Sequence, residues 1–219
     1  MSKIMGKLLV VPKRGGRFTM GIEMCCVLTT RCMLKCHYCP MFQHGRQSVI
    51  YDECSADQWI RFFESFPHWL SYVALSGGEP TVHDGLPEIA HYLSNRGTHV
   101  RIYTNLLKIE TLLRIDPRKK IDILTTYHHG DDYDRWVRNV KELKLARFKF
   151  SVHEVESPQM VKDPAILAYR EFKGKYTQQF IDSFTEFHAA PTSPLTKIIY
   201  LGPEGVYSHG KPDGSAYRK

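Results

Sequence analysis

Apolar residues fall into short dense runs separated by stretches of helical spacing, and this alternation predicts a largely parallel α/β sheet. Gly21 to Leu28 is almost continuously apolar, as a strand buried on both faces would be. Further strand-like runs follow at Tyr72 to Leu75, Val100 to Thr104, Ile121 to Thr126, Phe148 to Val152 and Lys197 to Leu201. Between them, Trp59, Ile60, Phe63 and Phe66 recur at helical spacing, as do Leu86, Ile89, Ala90 and Leu93. The clearest helix covers Asp132 to Leu145, with Tyr133, Trp136, Val137, Val140 and Leu143 on one face. Strands alternating with helices imply right-handed crossovers between parallel neighbours.

Local signals set the boundaries. Ser55 and Gln58 have the spacing of a capping box, Asp84 is read as the cap of the second helix, and Asp131 or Asp132 as the cap of the helix ending at Leu145. Leu8 to Val11, a turn at Pro12 to Gly16 and re-entry at Phe18 predict a hairpin or N-terminal extension over residues 1–20. The main domain is expected over 21–202 and a polar, glycine-containing tail over 203–219. Residues 155–196 hold one predicted helix, Tyr176 to His188, among prolines, and are expected to cover the open side of the sheet or to follow it loosely.

The chemistry concentrates in Thr29 to Met41, where Cys32, Cys36 and Cys39 stand at C-x3-C-x2-C spacing directly after the first strand. A structural zinc site wants four protein ligands, usually from two separated pairs, and no second pair follows. A cubane iron-sulfur cluster held by three cysteines would keep one iron open to a non-protein ligand. Ligands gather beyond the carboxyl ends of parallel strands, where this loop begins. Ser76-Gly77-Gly78-Glu79-Pro80 then forms a glycine turn between a strand and a helix, an order suited to an anion or zwitterion. Taken singly, a glycine pair is an ordinary tight turn and Glu79 an ordinary surface carboxylate.

Cysteines 32, 36 and 39, the aromatic Tyr38 before the last of them, and the downstream Gly77-Gly78-Glu79 together resemble the radical S-adenosylmethionine family. The resemblance implies an open partial (β/α)6 barrel of mainly parallel strands. It also implies a [4Fe-4S] cluster on Cys32, Cys36 and Cys39, whose open iron is chelated by S-adenosylmethionine. In the family an electron from the cluster cleaves the sulfonium to a 5′-deoxyadenosyl radical, which takes hydrogen from a substrate. On the same resemblance, Gly77, Gly78 and Glu79 hold the methionine end and Tyr38 lies near the adenine through its backbone. Thr104-Asn105 resembles the family's T-N segment, and Thr126 and His128 stand where the family meets carboxylate or ribose. Ser151, with His153 and Glu154, is a further candidate at the end of the fifth strand, a surface His and Glu being the plainer reading.

His128-His129-Gly130-Asp131-Asp132 is read as one substrate-contacting histidine and a helix cap rather than a second metal site. The deazaguanine-forming branch carries Cys-Asp-Thr after its loop, whereas this chain has Cys39-Pro40-Met41, closer to relatives that act on peptides, proteins or small metabolites. No cysteine follows residue 54, so a single cluster is expected. The implied partners are a small-molecule or peptide substrate and an electron donor such as flavodoxin or ferredoxin.

Composition narrows the picture less. The chain has 219 residues, 42% hydrophobic and 12% aromatic, enough for one sizeable core. No apolar run approaches the ~20 residues of a membrane span, and the first residues lack a signal-peptide core, so a cytoplasmic, membrane-free enzyme is expected. Cys25, Cys26, Cys32 and Cys36 crowd together in a way that fits a reducing compartment better than a disulfide framework. Cys25 and Cys26 are read as strand packing, and Cys54 likewise. The formal charge of +7 would attract an acidic electron donor. Its basic runs (Lys13-Arg14-Arg17, Arg118-Lys119-Lys120, Arg135 to Lys149) read as solvated surface, and no nucleic-acid motif accompanies them. A non-catalytic iron-sulfur, zinc or S-adenosylmethionine-binding module acting through a partner protein is the alternative class.

Overall fold

The computed structural model describes residues 10–12, 18–20, 22–36, 39, 53–66, 70–128, 132–153, 165, 168, 199–202 and 205–208. The expectations for Tyr38, Glu154, the Tyr176 to His188 helix and the tail beyond 208 lie outside these residues.

Two short strands, β1 (Val10–Pro12) and β2 (Phe18–Met20), pair antiparallel, Val10 opposite Met20. The main sheet starts with β3 (Ile22–Thr29), then β4 (Leu70–Gly77), β5 (His99–Thr104), β6 (Ile121–Thr126) and β7 (Lys149–His153). Each pairs parallel with the next. The connections carry α1 (Ala56–Ser65), α2 (Leu86–Asn95), α3 (Ile109–Leu112) and α4 (Tyr133–Leu145). Two further strands, β8 (Ile199–Gly202) and β9 (Gly205–Ser208), complete an open sheet of order β7-β6-β5-β4-β3-β8-β9. The predicted α/β class of mainly parallel strands is what the chain adopts. The last predicted strand, β8, pairs parallel with β3, on the side of β3 away from β7, and β9 turns back antiparallel.

The core forms between the helices and one face of the sheet. Met24, Cys26, Leu28, Val73, Leu75, Val100, Ile102, Ile121, Ile123 and Val152 point to it by strand alternation and meet Trp59, Phe63, Leu86, Ile89, Leu93, Trp136, Val140 and Leu143. Cys25, on the other face of β3, is also buried, so both strand cysteines pack as expected. Cys54 is half-buried against the core.

Helix ends follow their local chemistry, with one correction. Ser55 and Gln58 make the reciprocal bonds of a capping box, and Asp132 accepts from the Arg135 N–H at 2.9 Å. Asp84 does not cap α2. Its side chain is 93% exposed, and Gly85 takes the N-cap position without a side-chain bond. Pro87 in the first turn lacks an N–H and so lessens the need for a cap. Among the described residues no helix is long and apolar enough to cross a membrane.

Candidate active site

The site is assembled where β3 and β4 end side by side. Thr29 pairs with Gly77, and beyond that pair the two chains stay in contact: the Gly78 N–H donates to the Thr29 carbonyl at 2.8 Å and the Glu79 N–H to the Arg31 carbonyl at 2.8 Å. Glycine is required for this approach. A Cβ on Gly77 would lie 2.3 Å from the Thr29 carbonyl oxygen, and one on Gly78 2.3 Å from that of Arg31. Gly77 also sits at φ 136°, a conformation side chains rarely adopt. The glycine turn therefore grips the three residues that lead into Cys32.

Glu79 follows, and it is not a surface carboxylate. Only 1% of the residue is exposed. Its carboxylate accepts from the Thr81 N–H at 3.1 Å, the Thr81 hydroxyl at 2.7 Å, the Thr104 hydroxyl at 2.7 Å and the Asn105 N–H at 2.7 Å. Burial pushes the carboxyl above its usual range, and the four donors pull the other way without cancelling that shift. Glu79 thus ties the end of β4 to the end of β5.

The T-N segment completes the link to the cysteines. The Asn105 Nδ2 lies 3.7 Å from the Cys32 Sγ, and the Leu34 N–H lies 3.4 Å from the same sulfur. Leu106, next in line, is buried at φ 64°, costly for a residue with a Cβ. The surroundings hold it there. Its N–H reaches the Thr104 hydroxyl at 2.9 Å, Asn139 Nδ2 bonds its carbonyl at 2.7 Å, and Arg135 bonds the Leu107 carbonyl at 2.8 Å.

Cys32, Cys36 and Cys39 are all half-buried thiols outside any disulfide, and the Cys39 N–H closes a turn on the Cys36 carbonyl at 2.9 Å. Burial pushes the Cys32 thiol up to about 12, and Glu79, Cys36 and Cys39 add to the rise. Three soft sulfur donors on one loop, with amide groups directed at one of them, fit an iron-sulfur cluster in donor type and in the N–H groups offered to a sulfur. Their placement is not a finished ligand set, since no three Cys, His, Asp or Glu side chains converge on a metal-binding geometry among the described residues. A cation among the thiols would favour the thiolate that burial now disfavours.

The other sequence candidates share the C-terminal edge of the sheet without joining this group. β6 and β7 stand three and four strands from β3, roughly 14 and 19 Å at ordinary strand spacing. Thr126 is buried, and Ser151 faces His153 on its own strand, Oγ to Nε2 3.1 Å. His128 is partly exposed, and desolvation lowers its imidazole to about 4, so it is neutral at physiological pH.

Sequence reading missed Arg31, Glu53, Thr81 and His83. Arg31 donates from Nε and Nη2 to the two oxygens of Glu53, both at 2.7 Å, and the Thr29 hydroxyl bonds Glu53 as well. Burial alone would raise Glu53, but Arg31 and Thr29 outweigh it and hold the carboxyl below its usual range. Thr81 supplies two of the Glu79 donors, and His83 Nε2 lies 2.8 Å from the Cys54 carbonyl. No spacing rule pairs Arg31 with Glu53, because the pairing depends on where the intervening loop returns.

An open parallel sheet with a three-thiol loop leaving its first long strand and a glycine turn packed on that loop defines a class of cluster-bearing α/β enzymes. A profile of the Radical SAM superfamily matches residues 26–208, and the chain belongs to that superfamily. The superfamily's cofactors are a [4Fe-4S] cluster and S-adenosylmethionine, and its members are enzymes. The chain is 34% identical over 79 residues to the Fe-coproporphyrin III synthase of Methanosarcina barkeri (strain Fusaro / DSM 804), a match covering 36% of this chain and 19% of the synthase. The solved structure of native anSMEcpe with bound AdoMet superposes with a TM-score of 0.54 at 13% identity, covering 74% of this chain and 52% of the other. Streptococcus suis SuiB superposes with a TM-score of 0.49 at 14% identity, covering 92% and 63%. The likeness to anSMEcpe speaks to the fold alone. The chain spans 19% of the synthase's length and a little over half of anSMEcpe.

Proposed function

We propose that this chain reductively cleaves S-adenosylmethionine and uses the resulting radical to abstract hydrogen from a small metabolite or peptide. The observation that carries the reading is the thiol loop leaving β3 with its lead-in residues gripped by Gly78 and Glu79 and its first sulfur faced by Asn105.

In this reading Cys32, Cys36 and Cys39 hold the cluster. With S-adenosylmethionine bound, that cofactor pair supplies a 5′-deoxyadenosyl radical. The protein's part is orientation and exclusion of water. Gly77 to Glu79 present the methionine end with the turn, Glu79 by fixing the turn's path rather than with a free oxygen. The Asn105 amide steadies the Cys32 sulfur. Thr126, neutral His128 and Ser151 lie farther along the strand ends, where a substrate or the nucleoside would extend, and Tyr38 is assigned to the adenine. A small metabolite is in keeping with the porphyrin named for the 34%-identical synthase, and a peptide with relatives of the CMLKCHYCP loop. The basic chain, +7 overall, suits an acidic flavodoxin or ferredoxin donor, and we assign it to the cytoplasm.

The test is anaerobic. The chain is reconstituted with iron and sulfide, given dithionite and S-adenosylmethionine, and assayed for 5′-deoxyadenosine against Cys32→Ala. Cysteine-dependent product is expected. A fully loaded protein that makes none, with candidate substrates present, would point to a binding module instead.

A further inference from the structure

β3 ends at Thr29, and Arg31, directly before the first cysteine of the loop, is joined to Glu53, 22 positions further along the chain. We infer that Arg31 and Glu53 form a latch that closes the thiol loop and positions Cys32, a role that rests on the cluster assignment above. The pair is bidentate, two parallel bonds of 2.7 Å, which fixes direction as well as distance. Glu53 is anchored from the strand side by the Thr29 hydroxyl, whose oxygen also accepts from the Arg31 N–H at 2.9 Å. Arg31 is held a third way, Nη2 to the Val82 carbonyl at 3.2 Å, and its own carbonyl is bound by the Glu79 N–H. One residue further, His83 takes the Cys54 carbonyl. Both ends of the loop are therefore fastened to the 78–83 segment, and the residue fastened most heavily is the one bonded to Cys32.

The latch is not argued as a source of global stability. The Arg31 side chain is 50% exposed, and exposed ion pairs contribute little to folding. Its effect is local: without it, the two ends are held separately, Arg31 by the Glu79 N–H and Cys54 by His83, and the thiols sample more positions. Groups that orient metal ligands from outside the ligand set typically alter metal affinity by about 10–100-fold.

The experiment compares wild type, Arg31→Ala, Glu53→Ala, the double variant, and the exchange Arg31→Glu with Glu53→Arg. Each is reconstituted with iron and sulfide, and iron release to bathophenanthroline is timed. Each single variant is expected to release iron about tenfold faster or more. The double should be no faster than either single, and the exchange should recover part of the loss. The apo chains are also labelled with a maleimide, and Cys36 and Cys39 should react faster in the variants while the thermal midpoint stays near that of wild type. Wild-type rates in the single variants, or effects that multiply in the double, would overturn the latch. If the wild type takes up no iron, the cluster assignment fails by itself, and the labelling rates decide the latch.

Discussion

Asn105 and Cys32 stand 73 positions apart, yet the Asn105 amide nitrogen lies 3.7 Å from the Cys32 sulfur. The same residue donates its backbone N–H to Glu79 and accepts the Leu107 N–H on Oδ1 at 3.0 Å. One residue, through its backbone N–H and its side chain, thus connects the end of β5, the glycine turn and the thiol loop.

Asn105→Leu keeps the volume and removes the donor. Hydrogen bonds to cluster sulfurs are one of the protein's controls on reduction potential, since they stabilise the more negative reduced state. The midpoint potential of the reconstituted protein is expected to fall, as read by redox titration followed by electron paramagnetic resonance. Loss of the Leu107 partner should also cost about 1–2 kcal/mol of stability in urea unfolding. An unchanged potential would show that the amide does not reach the sulfur in the loaded protein.

Gly78→Ala places a methyl against the Arg31 carbonyl and pushes the turn off the lead-in to Cys32. Backbone must move, so a loss of roughly 2–4 kcal/mol is expected, together with faster iron release. Gly97→Ala is the comparison. Gly97 has φ 83° and open space around it, and its cost should stay near 1 kcal/mol with iron release unchanged.

His128 gives the fold an acid-sensitive limb. Its folded pKa, about 4, is below the ordinary histidine value of 6.5, so the folded state binds this proton more weakly than the unfolded chain. The contribution is fully present above pH ~6.5 and declines as pH falls toward 4. At pH 5 the loss should be about 1–2 kcal/mol, the residue's partial exposure keeping it below the full linkage value. Urea midpoints at pH 7.5 and 5 should differ less in His128→Gln than in wild type. Equal differences would place the acid sensitivity elsewhere.

Two helices end in the same way with different residues. After α2, Gly97 occupies the left-handed position, with its N–H on the Ser94 carbonyl and the Thr98 N–H on that of Leu93. After α4, Arg147 occupies it at φ 63°, with the matching bonds to Lys144 and Leu143. Arg147 is exposed. Arg147→Gly should therefore stabilise the chain by about 0.5–1 kcal/mol, seen as a rise of roughly 1–4 °C in Tm with unchanged iron release.

How much of this was legible beforehand depended on the range of the interaction. The strand runs, the Ser55 box, the Asp132 cap and the core stripes were readable because each is set by residues within a few positions. Asp84 misled because an acidic residue before a helix is the usual signal, whereas Gly85 and Pro87 made it unnecessary. The strand-like run Val100 to Thr104 was readable; that its last residue and the one following would bind Glu79 was not.

Cysteine spacing, the glycine pair and the strand-helix rhythm are properties of neighbouring residues, so the class of fold and the thiol-rich loop could be read from the chain alone. Tertiary structure decided what each piece meets. It placed β8 beside β3 rather than β7, buried Glu79 under four donors from two strand ends, and brought Asn105 to Cys32 and Glu53 to Arg31. Those pairings join residues that only the return of a crossover or a loop brings within bonding distance, and no local propensity encodes where a crossover returns.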